Sequence, residues 1–276
     1  MTDDPFGIRP APGPDQPPIP VRLVSFNTHH GVGEDSRHDL PRLAKVLASA
    51  DADVICLQEV DRRFGARSED VDQAVLLSRA LDMQLAWGPA IDRGGDERPP
   101  GGEPSRQYGN ALLSRLPILI SDVHPLPGSG EPRSALRTMV ELDGGALWIT
   151  ATHLTTRSAE ERAGQVSALA DLHTEPMDTG VLVGDFNTEP DAPELDALRQ
   201  RFTDAWQLAR ARDDQAGWKF WQTEAGNTHP ARAPHRRIDQ VWVSSGVAVA
   251  GAYVLDAEGA SDHLPLVVDL EVRSGV

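Results

Sequence analysis

The chain has 276 residues and a formal net charge of −16, with 39% hydrophobic and 25% charged residues. That balance suits a globular protein with a substantial core. The acidic excess argues against strong, sequence-independent DNA binding, which needs a basic face for the phosphates. Cys56 is the single cysteine, so an internal disulfide is excluded, and within Asp53-Val54-Ile55-Cys56-Leu57 the thiol is expected to pack as a small hydrophobe.

Residues 1–20 are rich in proline and acid and lack the basic start and apolar stretch of a secretory signal. They are expected to form a disordered or loosely docked leader ahead of one domain spanning 21–276. No uninterrupted apolar run approaches the ~20 residues that cross a bilayer, and the expected location is cytoplasmic.

Val21 to Phe26 alternates as a strand, and Leu40, Leu43, Ala44, Val46 and Leu47 recur at helical spacing. Val54 to Leu57 reads as a buried strand and Asp72 to Leu81 as a helix. The stretch Ile91 to Gln107, dense in glycine, proline and charge, predicts a long surface loop. Strands are expected at Ala111–Ser114, Thr138–Leu142 and Ala146–Thr152, the last two joined by a hairpin turn at Asp143-Gly144-Gly145. Ser158 with Glu161 reads as a capping box opening a helix through Leu172. Val181–Val183, Ile238–Val243 and Pro265–Val272 complete the strands. Strand pairs without a helix between them, mixed with strand-helix units, suggest two packed sheets flanked by helices rather than one parallel sheet.

Polar clusters recur where these strands end: Asn27 after Phe26, Gln58-Glu59 after Leu57, His153 after Thr152, Asp185-Phe186-Asn187 after Gly184, and Ser261-Asp262-His263. Asp239 interrupts the apolar run Ile238 to Trp242. A carboxylate near a core costs several kcal/mol unless it is paired, hydrogen-bonded or metal-bound. If the strand ends converge, carboxylates and asparagine carbonyls form an oxygen-rich cage suited to a hard cation, Mg2+ or Mn2+. Zinc is disfavoured because no close His/Cys ligand spacing occurs.

Taken in order, Phe26-Asn27, Gln58-Glu59, Tyr108-Gly109-Asn110-Ala111-Leu112-Leu113-Ser114, Thr152-His153-Leu154, Gly184-Asp185-Phe186-Asn187, Arg237-Ile238-Asp239 and Ser261-Asp262-His263 resemble the endonuclease/exonuclease/phosphatase superfamily. The resemblance runs from about Val21 to Leu270. It implies a four-layer α/β sandwich, two mixed β-sheets packed face to face and flanked by helices, and metal-assisted phosphoester hydrolysis with one or two Mg2+ or Mn2+ ions. It also implies Glu59 as the principal metal ligand with Asn27 and Asp262 in support. Asp185 would align and deprotonate the attacking water, assisted by Asn187. His263, oriented by Asp239, and His153 would contact the phosphate. One departure stands out: some nucleases of the family carry an acidic residue where this chain has His29, so the role of His29-His30 stays open.

Further substrate contacts are expected from Asn110, Arg133, Arg137 and His229, the arginines because guanidinium matches phosphate geometry. Trp218, Phe220 and Trp221 are expected to be core or loop anchors. The leading expectation is hydrolysis of a small or lipid-derived phosphoester. A nuclease is the alternative and gains if a basic strip built on Arg93, Arg98 and Arg106 flanks the cleft. A catalytically silent binding protein of the same fold is a third reading, opposed by the presence of the whole residue series.

Overall fold

The computed structural model describes residues 17–94, 105–173, 179–212 and 225–273. The first half comprises β1 (Ile19–Asn27), α1 (Leu40–Ser49), β2 (Val54–Arg62), α2 (Gln73–Leu81), β3 (Gln84–Arg93), β4 (Arg106–Ser114) and β5 (Ile118–Leu126). There follow β6 (Arg133–Leu142), β7 (Gly145–His153), α3 (Ala159–Asp171), β8 (Gly180–Asp185) and α4 (Asp196–Arg199). The chain then forms β9 (Thr203–Asp204), α5 (Ala205–Arg212), β10 (Asp239–Val243), β11 (Val247–Val254) and β12 (Leu266–Val272).

The strands form two mixed six-stranded sheets, ordered β11-β12-β1-β2-β4-β3 and β5-β6-β7-β8-β10-β9. Each contains one parallel pair joined through a helix: β1 with β2 across α1, and β7 with β8 across α3. The sheets pack face to face with helices outside, the four-layer α/β sandwich. Alternation along the strands assigns the faces. Val181 and Val183 enter the main core with Leu136, Val241 and Val243, whereas Leu182, Ala135 and Trp242 face outward into a second cluster with Val166 and Leu169 of α3. This is the period-2 pattern of a strand buried on both faces.

Helix starts follow local chemistry. Asp39 and Asp72 accept the backbone N–H of Arg42 and Val75 at 2.9 and 3.1 Å, satisfying first-turn donors. Ser158 caps α3 by accepting from Glu161 N at 3.1 Å. The capping box is only half formed, because the Glu161 carboxylate accepts from Ser129 N and Gly130 N instead of the cap residue.

Several expectations need correction. β1 starts at Ile19, inside the expected leader, because Ile19 and Pro20 pair with Val272 and Glu271; residues 1–16 lie outside the described residues. The loop expected over Ile91–Gln107 is shorter, since β3 continues to Arg93 and pairs with β4 from Arg106. Residues 95–104, Arg98 among them, are not described, and neither are Trp218, Phe220 and Trp221. Cys56 is fully buried, and burial pushes its thiol up. Among the described residues no helix is long and apolar enough to cross a membrane.

The parallel pairs decide where the polar clusters go. β1 and β2 run the same way, so Asn27 lies beside Gln58. β7 and β8 likewise bring His153 beside Asp185. β10 runs antiparallel to β8 and starts at the same rim, placing Asp239 opposite Asp185. β12 is antiparallel to β1, with Leu266 opposite Ser25, so Ser261-Asp262-His263 enter it from that rim too. One edge of the sandwich thus collects residues from both sheets, in the manner of α/β folds that bind ligands beyond the carboxyl ends of their strands.

Candidate active site

Asp185 sits at the centre. Its Oδ1 accepts from Asn187 N at 2.8 Å and its Oδ2 from Asn27 Nδ2 at 3.0 Å. The same Oδ2 is 3.6 Å from His153 Nε2 and 3.8 Å from His263 Nε2. Burial, with Asp239 alongside, pushes its carboxyl up to about 7, against the pull of His263 and of the Asn187 and Asn27 N–H groups. Gly184 is required just before it: φ is +149°, and a Cβ there would lie 1.9 Å from Thr152 O on the neighbouring strand.

His263 is 5% exposed and donates Nδ1–H to Asp239 Oδ2 at 2.8 Å. Burial alone would lower its pKa, but the Asp239 charge and hydrogen bond, with Asp185 and Asp262 nearby, hold it up at about 10. The ring is therefore an imidazolium with Nε2–H free to face Asp185. Thr228 steadies the arrangement by donating Oγ1–H to Asp239 Oδ2 at 2.5 Å.

His153 has the opposite character. Burial, with the Arg133 charge, pushes it down to about 3. Arg133 Nη1 lies 3.0 Å from its Nδ1, and since guanidinium only donates, Nδ1 accepts and the proton of the neutral ring is on Nε2. Both rings thus aim an N–H at the same oxygen.

Glu59 stands on a bulge in β2, where the register with β4 shifts between Leu57 and Val60 and the backbone is left-handed at φ +57°. Such a backbone costs roughly 1–3 kcal/mol and is retained where the surroundings fix it. Burial raises its pKa, but the His30 imidazole, His153 and the Asn27 N–H outweigh burial and hold it well below the usual carboxylate range. Asn27 donates Nδ2–H to Glu59 Oε1 at 3.1 Å as well as to Asp185, while its carbonyl accepts from His29 N at 3.0 Å. The cage of asparagine carbonyls expected from the sequence is thus not formed by Asn27, whose amide bridges two carboxylates as a donor. Asp262 is the most exposed member and joins through Ser261, whose Oγ donates to Asn27 O at 2.7 Å and lies 3.4 Å from Asp262 Oδ1.

Among the described residues, Glu59, Asp185, Asp239 and Asp262 have no lysine or arginine in ion-pair range; the basic side chains within that range are histidine rings. Ligand atoms of Asp185, Asp239 and His263 lie within 4.8 Å of one another, and so do those of His229, Asp262 and His263. With His263 protonated on both nitrogens, the carboxylate oxygens rather than that ring are the donors that fit a divalent metal ion.

The remaining candidates divide. Arg133 lines a narrow crevice with Glu59, Tyr108, Asn110, Ser134 and His153, and Asn110 holds its wall by donating to Ser134 O at 3.0 Å. The His229 ring packs at a tilt against that of His263, with centroids 4.6 Å apart. Asn187, left-handed at φ +54°, turns Nδ2 to Leu154 O at 2.9 Å. Arg137 is not brought to the site: it lies over the Trp148 ring at 4.0 Å, further along β6. Arg237 of the Arg-Ile-Asp series is an anchor, its two terminal nitrogens donating to both oxygens of buried Asp204 at 3.0 and 2.6 Å. Sequence reasoning missed Thr228, for which spacing carries no signal, and left His30 unassigned.

Residues 24–263 match the family described as Endonuclease/Exonuclease/phosphatase. The chain belongs to that family. Its members are hydrolases acting on phosphoesters. The uncharacterized protein YbhP of Escherichia coli (strain K12) is 27% identical over 272 residues, covering 91% of this chain and 96% of YbhP. The endonuclease/exonuclease/phosphatase of Beutenbergia cavernae superposes with a TM-score of 0.66 at 26% identity, over 92% of this chain and 72% of that one. A mannosyl-6-phosphatase of Bacteroides thetaiotaomicron shares the fold, with a TM-score of 0.70 at 16% identity over 91% and 99% of the two chains.

Proposed function

We propose that this family member is a divalent-metal-dependent phosphoester hydrolase acting on a small or lipid-derived phosphoester in the cytoplasm. The observation that carries the reading is the convergence on Asp185 Oδ2 of two N–H donors, His153 Nε2 at 3.6 Å and His263 Nε2 at 3.8 Å, beside carboxylates that lack a lysine or arginine partner among the described residues.

Glu59 and Asp262 would hold Mg2+ or Mn2+, with Asn27 positioning Glu59. A bound cation supplies neutralisation of charge on the leaving oxygen and the phosphoryl group. Asp185, its pKa pushed up to about 7, takes the proton of the attacking water. A base tuned near neutrality balances availability against strength. The N–H of Asn187 fixes Asp185 Oδ1 and so aims Oδ2 at the water. His263, held charged by Asp239, and neutral His153 each give an N–H to the phosphoryl oxygens, which share the attacking water's side of the cleft. Arg133 and Asn110 would line the subsite beyond His153, with His229 on the opposite side against His263.

The small-substrate half of the reading rests on charge. The net charge is −16, and arginines following the Glu59 bulge are already engaged: Arg62 and Arg63 on Asp72, and Arg67 on Asp61 at 2.7 Å. Arg93 stacks over Phe64. Arg62, Arg63 and Arg67 are thus not free to form the strip of cations that a nuclease would use to track a backbone.

The test is hydrolysis of bis(p-nitrophenyl) phosphate beside p-nitrophenyl phosphate, with Mg2+, Mn2+ or chelator. The reading predicts metal-dependent turnover, with the ratio of the two substrates reporting diester or monoester preference. Absence of turnover together with absence of saturable metal binding contradicts it; efficient plasmid cleavage at low enzyme concentration favours the nuclease.

A further inference from the structure

His30 is left over from this account, and its surroundings point at Glu59. The 3-10 turn His29–Gly31 follows Asn27 almost directly and holds both histidines in left-handed backbone, φ +44° each. The turn is fixed from several sides. Thr28 N donates to Gln58 O at 3.0 Å. Gln73, 1% exposed, donates Nε2–H to His30 O at 2.6 Å and accepts from Asp61 N at 2.9 Å. At Gly31, with φ +77°, a Cβ would come within 3.0 Å of the His38 ring and 2.9 Å of Gln73. The His29 ring meets that of His30 edge-on, centroids 4.5 Å apart, and its own Nδ1 is committed to Val32 O at 3.0 Å.

So held, His30 has a buried Nδ1 with no hydrogen-bond partner among the described residues, a costly state for an imidazole nitrogen. The atom lies 3.8 Å from Glu59 Oε2, too far for a hydrogen bond. The other carboxylate oxygen, Oε1, takes the Asn27 N–H, which leaves Oε2 facing the imidazole. Two bonds of roughly 2.1 Å to one cation span donors roughly 3 Å apart at a right angle and roughly 4 Å apart in line, and the observed gap falls between.

We infer that His30 Nδ1 is a nitrogen ligand of the cation held by Glu59, making the centre a mixed nitrogen-oxygen site that selects a divalent first-row transition ion over Mg2+. Imidazole adds affinity for transition ions and little for Mg2+, and His30 Nδ1 is already directed at Glu59 Oε2. The inference rests on the hydrolase reading only in taking Glu59 as the metal's carboxylate.

The test uses Mn2+ as probe on the full chain, with calorimetric titration for affinity and pulsed electron paramagnetic resonance for nitrogen coupling. Wild type is expected to show histidine nitrogen coupling to bound Mn2+. His30→Gln is expected to lose that coupling and at least about tenfold in Mn2+ affinity, with Mg2+ affinity changed less than about threefold. Wild-type Mn2+ without nitrogen coupling overturns the inference whatever the variant's folding, and so does coupling that survives in His30→Gln. Nitrogen-coupled Mn2+ that is lost in His30→Gln supports the ligand assignment whether or not either chromogenic ester is hydrolysed, so the inference and the hydrolase reading are read out separately.

Discussion

His263 donates Nδ1–H to Oδ2 of Asp239 at 2.8 Å, and the contact is buried on both sides. The aspartate keeps the imidazole charged and aims its other N–H along the cleft toward Asp185. Without that neighbour, burial would leave His263 neutral at physiological pH.

Asp239→Asn is therefore expected to lower kcat/KM by about 10²–10⁴-fold. The sign on pH is fixed: the folded-state pKa of about 10 falls toward or below the ordinary value of about 6.5. The alkaline limb of the kcat/KM profile moves to lower pH, and an NMR titration of the His263 ring reports the same shift. Thr228→Val removes one hydrogen bond to Asp239 and has a smaller effect in the same direction, about tenfold at most.

Gly184→Ala is expected to destabilise the fold by about 2–4 kcal/mol, read as a lower urea midpoint. The new Cβ would meet Thr152 O at 1.9 Å and the backbone would keep a strained φ of +149°. A midpoint equal to wild type would mean that β7 and β8 separate at little cost.

Arg237→Ala is expected to cost about 3–5 kcal/mol, because it strands buried Asp204 without its bidentate partner. Denaturant unfolding reads this loss. Residual folded enzyme should keep its metal affinity, since Arg237 anchors the approach to Asp239 without touching the carboxylate cage.

A pH effect on stability is expected away from the site. His173 is buried behind Thr150 Oγ1 at 3.2 Å. Burial, with the Arg137 and Arg201 charges, pushes its pKa down to about 4. Below about 6.5 the unfolded chain binds a proton that the folded chain refuses until about pH 4. The stability is thus fully present above about 6.5 and lost as pH falls through that window, by up to about 3 kcal/mol. His173→Gln should flatten the dependence between those pH values in urea titrations.

Much of this was legible in the sequence, for a physical reason. A carboxylate one residue beyond a run of three or four apolar residues, as at Glu59 and Asp185, is costly without a partner, so its repetition at strand ends marks a shared site. What was not legible depends on distance and direction. Arg133 and Arg137 look alike in sequence, but four residues along a strand is about 13 Å; the first is at the rim and the second stacks on Trp148. β5 escaped notice because it is an edge strand, with Leu119, Ile120 and Val123 exposed, so burial imposes no alternation. β3 carries Gly88-Pro89 and runs into charge at Asp92-Arg93, which reads as loop although the strand pairs through to Arg93. The direction of His30 follows from a left-handed turn that no periodicity encodes.

The central claim is that Asp185 activates water beside a bound cation, and the direct measurement is kcat/KM of Asp185→Asn on the better of the two chromogenic phosphoesters, with Mn2+ affinity measured on the same sample. The account predicts metal-dependent turnover in wild type, abolished by chelator, and a loss of about 10²–10⁴-fold in the variant with Mn2+ still bound. A variant that binds Mn2+ and turns over within about threefold of wild type would contradict it.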